Sequence, residues 1–145
     1  MDIFTLLELS AEGVDEIIRA RKIRVDIPNH PDITFQGDME WSMEAFSNLI
    51  KNCAEHTPEG GRIIMDYTCN PLYTQIIIQD TGAGFAPEEL PHVFERFYRG
   101  KDAGENGIGI GLSLAKSLIE MQNGFLTAQN LPEGGACFTV RFYHH

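Results

Sequence analysis

The stretch Gly107-Ile108-Gly109-Ile110-Gly111-Leu112-Ser113-Leu114 sets three alternating glycines directly before an apolar, helix-patterned segment. Glycine lets the backbone come close to an anion, and the first turn of a helix offers unpaired N–H groups at the positive end of its dipole. The pattern fits a phosphate-facing helix start. Taken alone, it fits a glycine-rich loop or a close-packed strand equally well. Two commoner glycine motifs do not fit. A dinucleotide-binding loop follows a buried strand, whereas the preceding KDAGEN is polar; a Walker loop needs Gly-Lys-Ser or Gly-Lys-Thr, which the chain lacks.

Upstream, LYTQIIIQD reads as a strand that runs into Thr81-Gly82-Ala83-Gly84-Phe85. A carboxylate ending an apolar strand is costly to bury without a hydrogen-bond donor. Asp80 therefore either caps the turn at Gly82 or meets a buried donor, of which the exocyclic amine of adenine is one. Further upstream, DMEWSMEAFSNLIKNCAEHT reads as a helix N-capped by Asp38. Met43, Phe46, Leu49, Ile50 and Cys53 share its apolar face, while Glu44, Asn48, Asn52 and His56 recur every four positions on another. Such a stripe is either solvated or ligand-facing. Amide oxygens suit a hard cation such as a magnesium ion on nucleotide phosphates.

The segments NLIKNCAEHT, DTGAGF, PHVFERFYRG and GIGIGLSLAKSLIEMQNG stand in the order and approximate spacing of the sensor histidine kinases. The chain resembles their catalytic ATP-binding domain, in the GHKL superfamily, over nearly its whole length. FTLLELSAEGVDEIIRARKIRVDI resembles the segment that follows the dimerisation helices, and GACFTVRFY resembles the final strand.

The resemblance implies that Asn52 is the Mg2+ ligand, with Asn48 its partner in the same box, and that Asp80 reads adenine. It places His56 against the base, gives Gly82 and Gly84 the shaping of the adenine pocket, and puts Phe94 and Phe97 in a phenylalanine box. Gly107, Gly109 and Gly111 with Leu112 become the phosphate-facing hinge of a lid, approached by Arg96, Arg99 and Lys101. Asn48, Asn52 and Arg96 are the implied catalytic residues, and ATP with Mg2+ the implied cofactors. Two positions depart from the family pattern. Glu55 stands where many relatives carry a basic residue, so that Arg99 or Lys101 would supply that charge. Ala136 and Cys137 stand where relatives often have a hydroxyl near the adenine pocket.

With 145 residues, 43% of them hydrophobic, the chain suits one core rather than two ordinary domains. No apolar run reaches membrane-spanning length and no signal peptide opens it, so a cytoplasmic domain without direct membrane contact is expected; the resemblance implies that it belongs to a membrane-anchored bacterial receptor. The net charge of −10 argues against a nucleic-acid partner. Three cysteines without a CxxC pair read as reduced thiols. The expected fold is an α/β (α+β) two-layer sandwich with helices on one face of a mixed sheet. Its elements are a helix from Phe4 to Ala20, strands near Ile23 to Ile27 and Ile33 to Gln36, and the asparagine-bearing helix. A hairpin around Asn70-Pro71, a helix from Leu112 to Gln122 stopping at Asn123-Gly124, and two final strands complete it.

The function implied is binding of Mg-ATP and donation of its γ-phosphate to a histidine on a separate dimerisation domain, and indirectly to a response regulator. No His-Glu or His-Asp pair precedes the domain, so residues 1–145 are expected to be the catalytic domain alone. A hydrolase of the same superfamily carries a glutamate one helical turn before its magnesium asparagine; Asn48 fills that place and has no basic lone pair. A stand-alone anti-sigma-type serine kinase and a non-catalytic nucleotide-binding module are the remaining alternatives.

Overall fold

The computed structural model describes residues 2–30, 33–96 and 111–144. Helix α1 (Ile3–Glu12) is capped by the Asp2 carboxylate, which accepts from the Thr5 amide. Helix α2 (Asp15–Ala20) leads to β1 (Arg24–Asp26), and α3 (Met39–His56) follows. The hairpin β2 (Arg62–Cys69) and β3 (Tyr73–Asp80), helix α4 (Gly111–Glu120), β4 (Gly124–Asn130) and β5 (Ala136–Tyr143) complete the order. The strands form one sheet, β1-β2-β3-β5-β4, in which β1 and β2 are parallel and the other neighbours antiparallel. The expected mixed sheet is what forms.

Alternation along β3 and β5 turns Ile76, Ile78, Phe138 and Val140 inward, where all four are fully buried. They meet the apolar face of α3, whose Phe46, Leu49, Ile50 and Cys53 are likewise fully buried. Met43 is only half-buried, because Ser42 and Ala45 take the innermost positions beside it. Asp80 shares the inward phase of Ile76 and Ile78, so strand periodicity delivers its carboxylate under the helices.

Helices α3 and α4 run antiparallel. At one end Gln122 Oε1 accepts from the Asp38 amide at 2.8 Å and from Ser42 Oγ at 3.2 Å; at the other, Gly111 stands beside Asn48. The expected α4 stop is present as a turn in which Asn123 takes a left-handed φ of 63°.

Two expected elements differ. The helix expected over 4–20 is split at Gly13, whose amide still bonds Leu9 but whose bare Cα is tucked against α3. A Cβ there would lie 3.2 Å from Ser47 Oγ, which itself donates to the Ser10 carbonyl at 2.9 Å. The break itself falls at Val14, whose φ of −123° and ψ of 24° leave the helical region where periodicity alone would continue it. The strand expected over 33–36 is a single bridge, Asp2 to Thr34. Its apolar content serves packing instead: Phe35 is buried and stacks on Phe142 at 4.7 Å between ring centroids.

Candidate nucleotide site

Asp80 ends β3 with 3% of its surface exposed. Its Oδ1 accepts from the Gly82 amide at 2.9 Å and from the Ala136 amide at 3.2 Å. The carboxylate thus closes the turn at Gly82, as one reading of the sequence had it, and also ties that turn to the start of β5. Gly82 cannot be enlarged without movement, since a Cβ would stand 2.3 Å from the His56 carbonyl oxygen. The glycine turn therefore seats directly on the last residue of α3.

Gly84 takes a φ of 81°, and a Cβ there would approach Asn130 Oδ1 to 2.6 Å. That asparagine holds the loop: Oδ1 accepts from the Phe85 amide at 2.8 Å, and Nδ2 donates to the Phe85 carbonyl at 2.7 Å. Phe85 then lies between His56 and Phe138, with ring centroids 6.2 and 6.0 Å away, and Phe94 meets Phe138 from another side at 6.3 Å. The result is an aromatic floor beside a buried carboxylate. Of the two departures near Asp80, Ala136 contributes its amide to the carboxylate. Cys137 falls in the opposite phase of β5, where its Sγ is 3.9 Å from Thr139 Oγ1, so its side chain does not face that site.

Asn48, Asn52 and His56 recur at every fourth residue of α3 and share one stripe. His56 is at the Gly82 and Phe85 end; Asn48 is at the α4 end, where a Cβ on Gly111 would lie 3.6 Å from its Oδ1. The stripe is about 12 Å long at 1.5 Å per residue, and it joins the aromatic floor to the N-terminus of a helix. Asn48 and Asn52 are half-buried. Asn52 offers a single hard oxygen, which suits an ion that keeps phosphate and water for its other positions. Among the described residues there is no cluster of three or more His, Cys, Asp or Glu suited to a metal, so a cation here would depend on its ligand's own oxygens.

Not every expected residue converges. Leu112 packs its side chain into the core, so only its backbone is available at the helix start. Phe94 is also packed against the core. Arg96 lines a cavity of about 570 Å³ on the outer flank of α4, shared with Ser113, Lys116 and Glu120, and not the asparagine stripe. Lys116 was not anticipated; its Nζ lies 5.5 Å from the Phe94 ring centroid. Phe97, Arg99, Lys101, Gly107 and Gly109 lie outside the described residues.

The family profile for "Histidine kinase-, DNA gyrase B-, and HSP90-like ATPase" matches residues 37–144, which include the stripe, the carboxylate turn and both closing strands. The chain belongs to this ATPase family. Among its relatives, the signal transduction histidine-protein kinase BaeS of Escherichia coli (strain K12) is 28% identical over 143 residues, which is 97% of this chain and 31% of BaeS. The chain thus spans about a third of that relative's length. The mycobacterial sensor histidine kinase MprB structure superposes with a TM-score of 0.84 at 25% identity, covering 99% of this chain and 96% of that one. Full-length ShkA, solved in complex with AMPPNP, matches with a TM-score of 0.81 at 23% identity over 99% of this chain and 30% of that one, a likeness of fold. The resemblance to the sensor histidine kinase catalytic domain and the expected sandwich both hold. Among the described residues no helix is long and apolar enough to cross a membrane.

Proposed function

We propose that this chain is the catalytic ATP-binding domain of a two-component sensor kinase, holding Mg-ATP for transfer of its γ-phosphate to a histidine of a separate dimerisation domain. The observation that carries the reading is the asparagine stripe of α3, which joins a buried carboxylate and aromatic floor at one end to a glycine-started helix at the other. In this reading Asp80 accepts the adenine amine, and His56 and Phe85 flank the base. Asn52 presents its oxygen to Mg2+, with Asn48 beside it. Gly111 and Leu112 offer backbone N–H groups to the phosphates, together with Gly107 and Gly109.

Phosphoryl transfer asks for in-line positioning and neutralisation of the equatorial oxygens. In this reading the positive charge comes from Arg99 and Lys101, as the resemblance implies, while Arg96 lines the cavity shared with Lys116 rather than the asparagine stripe. Asn48 has no basic lone pair to activate water, which supports transfer over hydrolysis. A response regulator is the indirect partner, nucleic acid is not one, and the domain works on the cytoplasmic side of a membrane-anchored receptor without touching the bilayer.

The test is incubation with Mg-[γ-32P]ATP, alone and with a sensor-kinase dimerisation domain. The chain alone should bind ATP without appreciable hydrolysis or self-labelling. The added domain should acquire acid-labile, base-stable phosphate. Acid-stable label on a protein target would establish a serine kinase instead, and rapid turnover by the chain alone would establish a hydrolase.

A further inference from the structure

The turn between α2 and β1 grips the His56 end of α3. Arg21, which closes α2, donates from Nη1 to the Thr57 carbonyl at 3.0 Å, across 36 positions of sequence. Thr57 is the fully buried C-cap of α3, and a carbonyl at a helix end lacks a partner within its own helix. The guanidinium satisfies it and sets a positive charge at the negative end of the helix dipole. Two backbone bonds tighten the same junction: the Gly60 amide donates to the Arg21 carbonyl at 2.9 Å, and the Arg24 amide to the Gly61 carbonyl at 3.0 Å. The loop between α3 and β2 has little slack. A Cβ on Gly61 would stand 2.4 Å from Thr57 Cγ2 and 2.9 Å from Thr81 Oγ1, and Thr81 leads into the Gly82 turn that rests on the His56 carbonyl.

We propose that Arg21 is a positioning residue for base binding: by holding the Thr57 carbonyl it fixes the last turn of α3, and with it the His56 ring and the seat of the Gly82 turn. Within α3, Thr57 Oγ1 donates to the Cys53 carbonyl at 2.6 Å, and the Arg21 bond ties that turn to a separate helix. The inference deepens the reading of the nucleotide site and rests on His56 lying against the base. It gives Arg21 a role that an apolar side chain of similar length cannot fill, since such a side chain has no proton to donate.

Calorimetric affinities for Mg-ATP, together with NMR signals of the nucleotide-free chain, test it on Arg21→Met, Arg21→Lys and His56→Ala, with melting curves establishing that each variant is folded. Arg21→Met keeps the stem and removes the donor; it should lose roughly three- to tenfold in ATP affinity. Its His56 ring and Gly82 amide signals should shift, while the Gly111 amide, beside Asn48 at the other end of the stripe, keeps its parental position. Arg21→Lys retains a charged donor and should restore both the affinity and the two signals. Should methionine unfold the chain, Arg21→Gln takes its place. Parental affinity in Arg21→Met, a Gly111 shift as large as that of Gly82, or a loss equally deep in Arg21→Lys overturns the inference. His56→Ala separates the two levels: if it weakens binding while Arg21→Met does not, only the role of Arg21 is wrong. If His56→Ala binds ATP as the parent does, the reading of His56 is wrong and the role of Arg21 falls with it.

Discussion

Asn130 and Phe85, 45 positions apart, are joined by two side-chain-to-backbone hydrogen bonds, one through each end of the same amide. The side chain takes the part of a missing strand neighbour, satisfying an N–H and a C=O that the glycine loop cannot satisfy itself. Asn130→Ala should cost about 1–3 kcal/mol of stability and weaken nucleotide binding several-fold, because the ring that flanks His56 loses its backbone anchor. Denaturant unfolding and calorimetric titration with ATP check both parts; unchanged affinity would separate Phe85 from the site.

Asn52→Ala should leave the fold intact, since alanine is favoured in a helix interior. The parent should bind ATP more tightly with Mg2+ than without it, and the variant should lose that difference. Titrations with Mg2+ or with a chelator check it; a Mg2+ effect of parental size in the variant would show that the ion is held elsewhere.

Gly82→Ala tests the seating of the turn on α3. With the His56 carbonyl oxygen 2.3 Å from the added Cβ, either the turn or the helix end must shift. The expected cost is about 1–3 kcal/mol, with a larger fractional loss of ATP affinity than of stability, since the shift falls on Asp80 and His56 together. A melting temperature and affinity both equal to the parent's would contradict so tight an approach.

Stability should fall on the alkaline side through Cys53. Its folded pKa is raised from an ordinary 9.0, so above that pH the unfolded chain releases a proton that the folded chain retains. The unfolded state then binds fewer protons, and unfolding free energy declines as pH rises, by up to about 1.4 kcal/mol per pH unit for one group. Below pH 9 this contribution is fully present. Urea unfolding between pH 8 and 10.5 should give a steeper decline for the parent than for Cys53→Ala, with equal slopes counting against a buried neutral thiol.

Much of this was legible in the sequence where the signal is local. Asp38 caps α3 through the Trp41 amide at 2.8 Å, and Asn70 makes the expected turn by accepting from Leu72 and Tyr73. The burial of Asp80 followed from its phase in an alternating strand. What stayed hidden depends on partners distant in sequence. Gly13 looks like an ordinary helix residue until Ser47 is placed against it, and Asn130 reads as a strand-end turn residue until the Phe85 loop arrives. Lys116 carries no local mark of its position over Phe94, because a lysine on an amphipathic helix usually faces water.

The bond from the Ala136 amide to Asp80 also sets a sequence of events during synthesis. Its two residues are 56 positions apart, and the amide belongs to β5, which is synthesised after α3 and the β2–β3 hairpin. Until that strand pairs with β3, the carboxylate has its local turn but not its second backbone donor, and Asn130 has not yet reached Phe85. A nascent chain can therefore build α3 and the β2–β3 hairpin early while remaining unable to recognise a base. Competence for nucleotide comes with the C-terminal hairpin, so a chain truncated before Ala136 should be blind to adenine even where its helices have formed.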